Sequence, residues 1–189
     1  VNGTVTAAGT GVITLGDSDT GVAIASNATI GGTSTGAITL GAATLADGAT
    51  LTVGTGIANA ISLSSVTGTA SGTASNLTIY TTGAVTIGGA VGTDIGTITI
   101  TNSGGTTFSS TVDAATVAIT STSLNNAVTF NDSLNLSSGM TVGAGSAAYN
   151  VAINGSSNTI AGTTTFNNTG TVTLGNGSDT INFTGGVVA

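Results

Sequence analysis

No lysine, arginine, histidine, cysteine, glutamate, proline or tryptophan occurs in the 189 residues. All seven formal charges are aspartates: Asp17, Asp19, Asp47, Asp94, Asp113, Asp132 and Asp179. Without a basic side chain the sequence offers nucleic-acid phosphates only repulsion, which argues against a nucleic-acid partner. Anionic membrane surfaces are disfavoured on the same ground, since no basic patch or basic amphipathic helix exists. Purely apolar runs extend over a few residues only, so no segment can insert across a bilayer. The positive n-region of a signal peptide is missing too, and Val1 is expected to lie inside a longer or processed chain.

Zero cysteine excludes disulfides and thiolate chemistry and leaves the redox compartment open. The lack of Lys and Arg removes every trypsin-type cleavage site. With the acidic balance, that fits a secreted, extracellular or cell-surface setting. Compositional drift in a repeat array would leave the same absence.

What remains is Gly, Thr, Ser, Ala, Asn and small aliphatics. Such low complexity can signal disorder. Here Val, Ile, Leu and Phe recur in short alternating triplets and the mean hydropathy is positive, both of which oppose a solvated coil.

A pentad recurs along the chain: an alanine-like residue, Val or Ile, Thr, a large apolar residue and a turn former. It reads "VITLG" ending at Gly16, "AITLG" at Gly41, "AISLS" at Ser64 and "AVTIG" at Gly88. It continues as "GTTFS" at Ser109, "AVTFN" at Asn131, "NVAIN" at Asn154 and "TVTLG" at Gly175. The large apolar residues form one column: Leu15, Leu40, Leu63, Ile87, Phe108, Phe130, Ile153 and Leu174, at steps of 25, 23, 24, 21, 22, 23 and 21 residues. A period of this size means a solenoid or array.

Two further columns run in phase. One is Ile24, Leu45, Val66, Val91, Val112, Leu136, Ile160 and Phe183. The other is Ile30, Val53, Ile79, Ile100, Ile119, Val142, Phe166 and Val188. Three short strands per repeat, each alternating with period two, predict an all-β parallel β-solenoid (β-helix) of 21–25 residues per coil and eight to nine coils. The whole of residues 1–189 reads as one repetitive segment. Each coil is too poor in apolar area to stand alone, and stacking buries a continuous narrow core. Gly, Ser or Asn follows every member of the first column, where the chain must turn and positive φ is expected. Proline, which would remove a ladder donor, is absent. No 3.6-residue apolar stripe supports a helix. A β-sandwich is the structural alternative, but its strands would not hold three columns near one period.

Pentads such as "AVTFN" and "GTTFS", repeated over almost the whole chain, resemble the repeat regions of large secreted bacterial β-solenoid surface proteins. These are filamentous-haemagglutinin-type exoproteins, autotransporter passengers and related adhesins. The resemblance implies a part in adhesion, a surface coat or an extracellular matrix, with glycans or a host surface as partners.

Enzymatic chemistry would have to use Asp, Ser, Thr, Asn and two tyrosines, Tyr80 and Tyr149. No His or Lys can serve as base for a serine nucleophile, and no His or Cys can hold a transition metal. Paired carboxylates alone can cleave glycosides. The nearest pair in sequence, Asp17 and Asp19, reads instead as a solvated turn. No enzyme is expected; an aspartate-based polysaccharide-processing β-helix is the remote alternative. The outward pentad residues form a near-threonine column, Thr14, Thr39, Ser62, Thr86, Thr107, Thr129, Ala152 and Thr173, whose neighbouring column is mostly alanine. A flat ice-binding face would need two threonine columns. Nine Asn-x-Ser/Thr sequons from Asn2 to Asn182 offer sugar attachment as a further reading, against which stands the abundance of Asn, Ser and Thr, which produces several by chance.

The stretch "TLGNGSDTINF", Thr173 to Phe183, resembles one copy of a calcium-binding glycine–aspartate turn. Asp179, Asp17, Asp19 and Asp132 are therefore the candidate calcium corners, and a calcium-dependent adhesive module is the alternative function. The competing reading is an elongated solenoid corner, matched by "LGDSDTGVAI" between Leu15 and Ile24. No polar capping segment interrupts the pattern near either end, so the remaining expected partner is the chain itself, by end-to-end stacking or as part of a longer solenoid.

Overall fold

Alternation of one small or aliphatic residue with one hydroxyl residue gives this chain strands of two to nine residues and no helix. The computed structural model describes residues 1–189. Its 23 strands pair parallel throughout and wind into eight coils, preceded by one extra strand at Gly3–Ala7. No helix is long and apolar enough to cross a membrane.

Each coil has three faces. Face one is a separate eight-stranded sheet running from Ile13–Leu15 through Thr106–Phe108 and Ala127–Phe130 to Val172–Leu174. Every member of the first apolar column pairs with the next: Leu15 with Leu40, then Leu63, Ile87, Phe108, Phe130, Ile153 and Leu174. Faces two and three join into one bent fifteen-stranded sheet. They merge because Val112–Ile119 and Leu134–Val142 run as single strands through the corner between them.

The other two columns need correction. Val66 stacks on Ala43 rather than Leu45, and Leu134 rather than Leu136 stacks on Val112. Ala114 takes the place above which Leu136 sits. Face two thus carries two inward rows, two residues apart, and hydrophobicity alone cannot tell which row a Val or Leu occupies. In the third column the stack from Ile30 to Phe166 holds, and Val5 extends it by one coil. Val188 does not belong to it: it pairs with Thr165, one residue out of register, and is 55% exposed. A slip of one residue turns a strand's side chains to the opposite face.

The turn after column one is also simpler than its sequence implies. Of the eight turn formers, only Gly16 (φ 69°) and Gly175 (φ 81°) adopt left-handed backbone. These open the two long corners, in the first and last coils.

The inward rows make one continuous core of 39 buried residues. Phe108 and Phe130 stack in it with ring centroids 4.8 Å apart and planes 5° from parallel. That separation is the inter-strand spacing itself, so like side chains repeat along the rod axis as the backbone does. Burying each aliphatic side chain contributes about 1.5–3 kcal/mol.

Candidate functional site

Three of the four candidate calcium ligands, Asp17, Asp132 and Asp179, close their own turns, and Asp19 contributes only its amide. Asp17 Oδ1 accepts hydrogen bonds from the amides of Asp19 (2.9 Å) and Thr20 (2.7 Å), and Asp17 N donates to Thr20 O at 3.0 Å. The Asp19 and Thr20 amides hold the Asp17 carboxyl below the usual range, since both favour its ionised form. Asp179 Oδ2 accepts from Asn176 N at 2.6 Å, closing the long corner of the last coil in a similar way. Asp132 Oδ1 accepts from Ser133 N at 2.7 Å. Asp17 and Asp19 share the first coil, Asp132 lies in the sixth and Asp179 in the eighth. Nowhere do three acidic, His or Cys side chains gather.

Between Asp132 and Asp179 sits Asn158, which is 1% exposed. Its Oδ1 accepts from Leu134 N at 3.0 Å, and its Nδ2 donates to Gly155 O and, at 3.2 Å, to Thr180 O. One amide thereby ties three successive coils together.

Another buried polar ladder escaped the sequence reading. Ser34, Asn59, Thr81, Ser103 and Thr122 line the corner between faces three and one, all at most 3% exposed. Asn59 Nδ2 donates to Ser34 O and Gly36 O at 2.7 Å, Thr81 Oγ1 bonds Ile57 O and Asn59 O, and Thr122 Oγ1 lies 2.6 Å from Ser103 Oγ. The hydroxyls of Ser34, Thr81 and Ser103 also accept from Gly36 N, Gly83 N and Gly105 N. For Ser34, Thr81 and Ser103 the signal was legible as Ser/Thr-x-Gly leading into the pentad, and Asn59 and Thr122 lack it. Buried backbone groups at a turn need such partners.

Two aspartates that are distant in sequence line one groove. Asp94 and Asp113, from adjacent coils, line a shallow groove of about 250 Å³ with Thr93 and Ser137. Thr93 and Asp94 take consecutive left-handed conformations (φ 53° and 59°), and Asp94 Oδ2 is buried without a partner. Asp17 and Asp19, the nearest pair in sequence, share one exposed turn that the Asp17 side chain closes.

The threonine column on face one is in register as read, from Thr14 and Thr39 to Ala152 and Thr173. Face three carries another outward column, Thr4, Thr29, Thr52, Thr78 and Thr99.

The two tyrosines have opposite environments. Tyr149 is fully buried, and its hydroxyl donates to Gly143 O at 2.6 Å. Burial pushes its phenol up to about 12. A raised phenol stabilises the fold below the ordinary value near 10 and loses that contribution as pH climbs from 10 through 12. Spectrophotometric titration at 295 nm should therefore show one tyrosine ionising only near 12, and Tyr149→Phe should flatten the loss of stability in that window. The same variant should cost about 1 kcal/mol at neutral pH through the lost hydrogen bond. Tyr80, by contrast, is 42% exposed at the end of Ser75–Tyr80 and lines a groove along the side of the rod.

Comparison with protein-family models, characterised proteins and solved structures yields no match, and the chain stands identified by its architecture, a parallel β-solenoid of eight coils.

Proposed function

We propose that this chain is a structural element of an extracellular rod, fibre or surface coat, built by continuing the solenoid through its end coil. The observation that carries the reading is the last coil. Leu174 and Val187 are 49% and 46% exposed there, whereas their register partners in the preceding coil, Ile153 and Thr164, are fully buried. Ile181 and Phe183 are only partly covered as well. A further coil, from the same chain or from a second copy, would complete these rows and pair the open strand edges. The reading is mechanical rather than catalytic: ladder hydrogen bonds and a thin aliphatic core resist extension and proteolysis. The missing Lys and Arg support placing such a rod outside the cell.

Electron microscopy and sedimentation of the purified chain test this reading. Eight coils at the inter-strand spacing give a single chain about 40 Å long, and the expected particles are rods several times that length. Leu174→Asp combined with Val187→Asp should return them to single-chain length. EDTA should leave the rods intact, because the Asp17, Asp132 and Asp179 carboxylates close their own turns and the four candidates do not gather at one place. Short isolated particles at high protein concentration would sink growth by a second copy, and dissolution of the rods by EDTA would favour the calcium-dependent module instead.

A further inference from the structure

Tyr80 is held as an aromatic platform. A Cβ on Gly56 would lie 2.7 Å from Tyr80 Cζ and 2.9 Å from its Oη, so the ring rests on bare backbone of the preceding coil. Toward the following coils the chain forms a groove of about 630 Å³. Hydroxyls and an amide line it: Thr101, Asn102, Thr120, Ser121 and Ser146. Asn102 is the direct register neighbour of Tyr80, and the Ser121 and Ser146 hydroxyls lie 3.3 Å apart. No charged side chain lines the groove.

We propose that this groove binds a neutral oligosaccharide, with one sugar ring lying on Tyr80 and its hydroxyls meeting the Thr, Asn and Ser row. Its volume falls in the range of small-ligand sites, which combine an apolar surface with a few converging polar groups. An aromatic ring offers a large rigid face with a polar tip at low entropic cost. The row follows the axis over three inter-strand steps, roughly 14 Å, which suits a short linear glycan. Nucleobases would stack on the ring equally well, but a net charge of −7 with no Lys or Arg repels their phosphates. A peptide fits less well. Strands within the rod are paired on both sides and leave no edge for strand addition. The lining offers only Tyr80 and Ala144 as apolar contacts. The groove lies on the side of the rod, so the inference stands apart from end-to-end growth, and either can fail alone.

Tyrosine fluorescence tests it directly. There is no tryptophan and Tyr149 is buried, so Tyr80 is the solvent-accessible reporter. The intact chain is titrated with cellotriose, maltotriose, laminaritriose and chitotriose, alongside a set of neutral peptides. At least one trisaccharide should shift the emission saturably in about the millimolar range or below. Saturation-transfer NMR with that sugar should show about a tenfold or greater loss of affinity for Tyr80→Ala. Tyr80→Phe should keep affinity within about threefold, since it retains the ring face. Circular dichroism confirms that the variants fold. The proposal is overturned if no trisaccharide perturbs Tyr80, if Tyr80→Ala binds as the parent does, or if only the peptides bind.

Discussion

Phe130→Ala is expected to lower stability by about 3–5 kcal/mol, the range for truncating a fully buried aromatic side chain. The ring is completely inaccessible, stacked on Phe108 at 4.8 Å, and in register with Ile153 on its other side. Neither neighbour can collapse into the space, because each is fixed by its own ladder hydrogen bonds to the coils beyond. In a solenoid, stability is a sum of coil and interface contributions, so a cavity at one interface weakens coupling between the blocks on either side. For a domain of this size the loss corresponds to a fall in melting temperature on the order of 10 °C. Guanidinium unfolding should show a lowered midpoint, with a broadened transition where the two blocks part. Thr129→Ala, in the same strand but facing outward, is the control and should stay within about 0.5 kcal/mol. If the two variants unfolded alike, the aromatic stack would not be the rod's centre.

The first column was legible because the pentad fixes it from two directions. One large apolar residue falls at a constant distance from a turn former, so period and phase agree at every coil from Leu15 to Leu174. Face two lacks that double constraint. Ala43 and Leu45 both point inward, and a composition of small residues lets the next coil stack on either. The Thr173–Phe183 corner was legible as an elongated turn, and so was its twin after Leu15. The structure adds why those two are long: each has a left-handed glycine and a carboxylate closing onto the turn's own amides. Less accessible were features that depend on how corners superpose. The Tyr80 groove and the groove lined by Asp94 and Asp113 join residues of different coils outside the apolar columns, where no periodic signal marks them. The buried Ser–Asn–Thr ladder lies between these cases, written in part as a short motif but hidden by the abundance of the same residues on the surface.

Gly162→Val should be more disruptive than any other single change at a glycine of this chain. A Cβ at Gly162 would stand 1.2 Å from Ser138 O and 2.3 Å from Ser138 C, both backbone atoms of the preceding coil. No rotamer relieves that overlap, so the backbone of one coil must move away from the other. Gly185 repeats the arrangement one coil later, with a Cβ 2.3 Å from Gly162 C, so a shift at Gly162 is passed on toward the chain's last strands. Overpacking commonly costs about 1–3 kcal/mol; here the flanking residues carry inter-coil hydrogen bonds, Ala161 N to Leu136 O and Met140 N to Thr163 O, and at least about 3 kcal/mol is expected. Hydrogen exchange should locate the damage. Amides of Thr164–Phe166 and Thr180–Phe183 should lose protection, while those of Ile95–Asn102 keep theirs. Gly177→Ala is the contrasting variant: a Cβ there meets nothing within 4 Å, and the backbone is not left-handed. It should be neutral, or stabilise by up to about 1 kcal/mol through the unfolded chain. Equal behaviour of the two variants would mean that the last two coils are not stacked backbone to backbone on the sixth, and with it would go the basis for growing the rod through its last coil.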